Sequence, residues 1–80
     1  MNSRDAIKEI MEEKKISNAD AASALGISQA TMWDRLNGKS GTMTIMKANE
    51  ILRYLGYDLV IMPRGKANRI EGAYIVEDFK

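Results

Sequence analysis

The chain contains neither cysteine nor histidine. Without cysteine, no disulfide and no thiolate zinc site can staple it. Without histidine, the commonest general base and the commonest metal ligand are missing. No paired-carboxylate spacing takes their place, so no catalytic residue, no metal ligand and no cofactor is expected. Proline occurs once, at Pro63. The longest apolar run, Leu59–Val60–Ile61–Met62, is strand-sized, far below the roughly 20 residues of a membrane span. Met1–Asn2–Ser3–Arg4–Asp5 does not lead into a signal-type apolar segment. No membrane association is expected, and the default location is the cytoplasm.

What is present is a short chain of 80 residues, enough for one small domain with a modest core. Marginal stability of that kind invites a partner chain. The net charge is only +1, but it is unevenly spread. Residues 1–27 carry 4 basic and 5 acidic groups, residues 28–66 carry 6 and 3, and residues 67–80 carry 2 and 3. The positive excess therefore lies mid-chain, where a phosphate-facing surface would need it.

The first 55 or so residues have helical periodicity. Ser3 is a candidate N-cap for a helix with Ala6, Ile7, Ile10 and Met11 on one face, running to about Lys14. Ser17 or Asn18 caps a second helix, rich in alanine and closed by Gly26. Its small side chains permit close helix approach. Ser28 caps a third helix over about Gln29–Leu36, ended by Asn37–Gly38. Lys39–Ser40–Gly41 reads as a loop. Thr42 or Thr44 then opens a fourth helix whose apolar face comprises Ile45, Met46, Ala48, Ile51, Leu52 and Leu55, stopped by Gly56. From Tyr57 the pattern changes: Tyr57–Met62 has strand composition, and Tyr74–Val76 offers a second short strand.

Residues 17–39 carry the functional signal. A short helix ends at glycine, a hydrophobic turn follows, and a second capped helix closes on Asn37–Gly38–Lys39. Two helices joined in this way form a helix-turn-helix, which presents its second helix to the DNA major groove. Met32 and Leu36, four apart, would face the core with Leu25 and Ile27. Gln29, Ala30, Trp33, Asp34 and Asn37 are left on the opposite side. Gln29 suits bidentate pairing with adenine, Ala30 contact with a thymine methyl, and Asp34 acceptance from a cytosine amino group or pairing with Arg35. For Trp33 two readings stand side by side: packing on sugar or a thymine methyl, or shielding of the helix edge.

The stretch Ile16–Lys39 resembles the Cro/phage-repressor-type, or lambda-repressor-like, helix-turn-helix regulators. The specific features are Ala22 at the helix contact, Leu25–Gly26–Ile27–Ser28 in the turn, and Leu36–Asn37–Gly38–Lys39 after the third helix. The likeness extends over roughly residues 4–56. It implies a mainly α fold with a four-helix core over 1–56. It also implies base reading by Gln29, Ala30 and Asp34, to which the exposed position of Trp33 adds a fourth candidate. The resemblance further implies phosphate contacts from Asn18, where the family usually has glutamine, and from Asn37, Gly38 and Lys39. The hydroxyls of Ser28 and Thr31 would join them.

Residues 57–80 depart from the shorter members, which continue with a fifth helix. A short C-terminal β-strand or hairpin is expected there, with Tyr57, Leu59, Val60, Ile61 and Met62 pairing across a dimer. An intrachain hairpin with Tyr74–Val76 packed on the fourth helix is the other reading. The expected function is sequence-specific repression by a homodimer on a double-stranded inverted-repeat operator. The alternative is the antitoxin of a toxin–antitoxin pair, with a toxin bound to the C-terminal segment. Nothing in the sequence suggests a ligand pocket.

Overall fold

A computed structural model describes residues 1–38 and 43–77. The loop expected at Lys39–Ser40–Gly41, the candidate cap Thr42 and the tail after Glu77 lie outside the described residues. Four α-helices follow in order: α1 (Ser3–Lys14), α2 (Asn18–Leu25), α3 (Gln29–Asn37) and α4 (Ile45–Tyr54). A single 3-10 turn, Ala67–Arg69, interrupts the C-terminal segment.

Each helix begins on a side-chain cap. Asn2, not Ser3, accepts from the Asp5 N–H at the start of α1 (2.8 Å), and Ser3 is instead buried inside the first turn. Ser17 caps α2 in a reciprocal box: its hydroxyl accepts from the Asp20 N–H (3.0 Å), and its own N–H donates to the Asp20 carboxylate (3.3 Å). Ser28 and Thr44 cap α3 and α4.

Three of the four helices end in the same way. After α1, α2 and α4 comes a left-handed residue, Lys15 (φ 57°), Gly26 (φ 69°) and Gly56 (φ 87°) respectively. The following N–H then reaches back to a carbonyl five residues earlier: Ile16 to Met11, Ile27 to Ala22, Tyr57 to Leu52. These are Schellman closures, which normally bring a hydrophobic contact with them. Ile16, Ile27 and Tyr57 indeed pack against the core. Each chain reversal is thus fixed twice, by backbone hydrogen bonds and by an apolar plug.

Helix α3 packs against α2 and α1, and α4 against the same two helices. Ile7, Ile10, Met32, Ile51 and Leu55 are fully buried at the centre. Ala21 and Ala22 are also buried, and their small size lets the backbones of α2 and its neighbours come together. On α4 the inward face is Ala48, Ile51, Leu52 and Leu55. Ile45 and Met46, expected on that face, are 58% and 83% exposed. They sit in the first turn of α4, where the capping Thr44 fixes the entry and turns them outward.

The expected C-terminal strands do not form. Among the described residues no strand is present, and no backbone ladder joins 57–62 to 74–76. The reason is local. The Tyr57 N–H is used to close α4, and the link between the segments is broken into separate turns by Pro63, Gly65 (φ 86°), the 3-10 turn and Gly72 (φ 83°). A ladder needs two edges held alongside, and that link does not supply them. The segment is held by side chains instead. Tyr57 and Tyr74 meet edge to face at 6.0 Å. The Tyr74 hydroxyl donates to Glu13 of α1 (3.3 Å), so its polar anchor is on α1. The Glu77 N–H donates to the Met1 carbonyl (3.1 Å), and the Glu77 carboxylate lies 3.7 Å from the Met1 amino group.

Candidate nucleic-acid interface

The face of α3 follows from its period. Met32 and Leu36 are buried, while Gln29, Ala30, Trp33, Asp34 and Asn37 are exposed. One side of the helix is fixed to the core and the other is presented to solvent, as the spacing predicts. Trp33 keeps 58% of its surface exposed, a high figure for an indole in a folded domain.

Three contacts hold this helix in place, and each uses a different part of the chain. At its start, the Asn18 amide donates to the Gln29 carbonyl (3.0 Å). At its first turn, Ser28 Oγ accepts from the Thr31 N–H (3.1 Å) and donates to the Thr31 hydroxyl oxygen (2.8 Å). Near its end, Arg4 Nε of α1 donates to the Arg35 carbonyl (2.8 Å). The Arg4 link had no signal in local spacing, because its partners are 31 residues apart.

These partners refine the roles expected from sequence. Asn18 is half-buried, and its Oδ1 is shielded from solvent with no hydrogen-bond partner. It ties the start of α2 to the start of α3. The Asn37 amide donates to the Trp33 carbonyl (3.1 Å) and so sits along the end of its own helix. At the α3 terminus Gly38 is extended, and its N–H donates to the Asp34 carbonyl (2.6 Å). A Cβ at residue 38 would collide with that carbonyl and lie 2.7 Å from Asp34 Oδ1. The close approach therefore demands glycine, and it locates the Asp34 carboxylate beside Gly38. Arg35 is half-buried and its NH1 has no hydrogen-bond partner; no Asp34–Arg35 ion pair is present among the described residues. Lys39, the next residue, lies outside the described residues.

Residues expected at a dimer contact divide into two sets. Tyr57 and Leu59 pack on the core, and Met62 is half-buried. Val60 and Ile61 are 68% and 102% exposed. Among the described residues no cluster of three His, Cys, Asp or Glu side chains could hold a metal, and no helix is long and apolar enough to cross a membrane.

A capped helix pair joined by a glycine turn, with the second helix clamped by the first and outward-facing on its polar side, defines a helix-turn-helix DNA-binding domain. The family model for the Cro/C1-type HTH DNA-binding domain matches residues 6–59, and the chain belongs to this family. Comparison with curated proteins and with solved structures finds no match. The family match supports a DNA-binding regulator, and it runs from within α1 through α4.

Proposed function

We propose that the protein is a sequence-specific transcriptional repressor that occupies an inverted-repeat operator as a dimer. The observation that carries the reading is the outward row of α3: Gln29, Ala30, Trp33 and Asp34, exposed opposite the buried Met32 and Leu36. Gln29 at the first position of the helix reads adenine, Ala30 meets a thymine methyl, and Trp33 packs on sugar or methyl surface. Asp34, beside Gly38, accepts from a cytosine amino group at the far end of the contact. Ser28, Thr31, Asn37, the Gly38 backbone and Lys39 contact the flanking phosphates in this reading and set register. Asn18 contributes through its hold on Gln29.

Residues 1–56 do the reading, and residues 57–80 join two copies. Val60 and Ile61 supply the contact, since two adjacent aliphatic side chains this exposed have no partner within the described chain. Tyr57, Leu59 and Met62 back them from the core side. Two copies related by a two-fold axis would set their α3 helices about 34 Å apart, one turn of DNA. Repression follows by exclusion of polymerase from the covered duplex.

The test is selection from random-sequence duplex DNA, with the mass of the protein in solution measured in parallel. Enrichment of an inverted repeat by a two-chain species is the expected result. Enrichment of nothing, or of single half-sites by a one-chain species, would overturn the dimeric repressor.

A further inference from the structure

Between the helical core and the C-terminal segment lies a cavity of about 410 Å³. It is lined by Ala6 and Ile10 of α1, by Leu52 of α4 and by Leu59, Met62 and Ile70 of the C-terminal segment, and it is partly open to solvent. Folded interiors pack at crystal density with few voids larger than a water molecule. An engineered apolar void of about 150 Å³ stays dry and binds benzene, and ligand pockets begin at about 300 Å³. A space this large, with walls this apolar, gives water few partners and gives a small organic molecule many.

The polar groups at the cavity select among such molecules. Among the described residues Asp58 is the one charged residue lining it; it is exposed and engaged by no ion pair. The Tyr74 hydroxyl, also at the wall, is already turned to the Glu13 carboxylate. Lys14 stands nearby, with Nζ 6.0 Å from the Tyr57 ring centre, but does not line the space. The local charge therefore opposes an anionic ligand and offers an acceptor to a donor group.

We propose that this cavity is an effector site for a compact apolar molecule of about two to three rings, bearing one hydroxyl or amine that donates to Asp58. The location gives it leverage. Its outer wall is the segment that carries the exposed Val60 and Ile61, with Val60 also lining the space and Ile61 outside it. A bound molecule fastens that segment to α1 and α4 and so favours the two-chain, DNA-binding form; this regulatory half rests on the dimer reading above.

The 80-residue chain is titrated with N-phenyl-1-naphthylamine, a neutral three-ring probe with one N–H, and in parallel with 1-anilinonaphthalene-8-sulfonate, which carries a fixed negative charge on a similar scaffold. The expected result is saturable fluorescence enhancement at one neutral probe per chain, with the sulfonate at least tenfold weaker. Ala67→Phe fills the cavity and should weaken the neutral probe at least tenfold while the unfolding temperature holds or rises. If that variant does not fold, Ala73→Leu serves the same purpose. Asp58→Asn should narrow the gap between the two probes. Non-saturable enhancement, or full affinity in a folded cavity-filled variant, would overturn the site. Sedimentation with and without the probe separates the two ideas. A monomer that binds one probe keeps the site and removes the dimer, whereas a dimer that binds none removes the site alone.

Discussion

Replacing Gly26 by alanine tests the turn that sets α3 on α2. Gly26 has φ 69°, in the left-handed region where a Cβ crowds the adjacent carbonyl at about 1–2 kcal/mol. No heavy atom lies within 4 Å of where that Cβ would sit, so no collision adds to the local cost. The alanine also restricts the unfolded chain, which returns about 0.4–1 kcal/mol. The net expectation is a loss of about 1 kcal/mol, or roughly 4–8 °C in melting temperature for a domain of this size. The structure contains its own control. Lys15 occupies the same place after α1, at φ 57°, and already bears the strain that Gly26 avoids. Lys15→Gly should therefore stabilise by about 0.5 kcal/mol, and Lys15→Ala should change little. Thermal unfolding followed by far-ultraviolet circular dichroism measures all three. A Gly26→Ala variant that melts within about 1 °C of the parent, or a Lys15→Gly variant that melts lower, would refute the left-handed closures as described.

Other expectations concern the site and its supports. Gln29→Ala should cost about 1–3 kcal/mol of operator binding and relax preference at one base pair. Lys39→Ala should weaken all sequences alike and lower the salt slope by about one; equal loss across all sequences for Gln29→Ala would remove its base-reading role. Met32 is fully buried under α3, so Met32→Ala should cost about 2–5 kcal/mol, seen as a shift in the urea midpoint. An unchanged midpoint would contradict the packing of α3 on the core. Ile61→Gln should weaken self-association at least tenfold without lowering the stability of the single chain, since this side chain is fully exposed there; a sedimentation profile identical to the parent would place the dimer contact elsewhere. Partial burial, with the Glu13 carboxylate beside it, pushes the Tyr74 phenol above its ordinary 10.0. The folded state thus holds this proton more tightly than the unfolded state. The contribution is complete below pH 10 and is lost as pH rises through the folded value. Tyr74→Phe should remove that alkaline loss from a pH series of unfolding midpoints, and a series with the same alkaline slope would show that Tyr74 is not its source.

The helical part of the fold was legible because its signals are short-range. A cap needs a hydroxyl or amide and an N–H about three residues on, a left-handed closure needs one permissive residue, and a helical face needs apolar side chains at a fixed period. Ser17, Gly26, Ser28, Met32 and Leu36 meet those conditions within a few residues of themselves, which is why α2, the turn and α3 could be placed from the sequence. The outward set on α3 followed from the same period. What failed did so where competition between distant partners decides. Ser3 lost the first cap to Asn2, one residue away, once the fold buried it. Ile45 and Met46 have the hydrophobicity of a core face, but the entry of α4 points them outward. Tyr57–Met62 has strand composition, yet a strand exists only beside another edge, and the described chain provides none. The Arg4–Arg35 link, the hold of Asn18 on Gln29 and the cavity behind the C-terminal segment all join residues far apart in sequence. The sequence by itself determined the helices and which side of α3 is turned to solvent, because those depend on neighbours along the chain. Only the tertiary structure decided how α3 is held and what the last residues do, because those depend on which surfaces are brought together and on the space left between them.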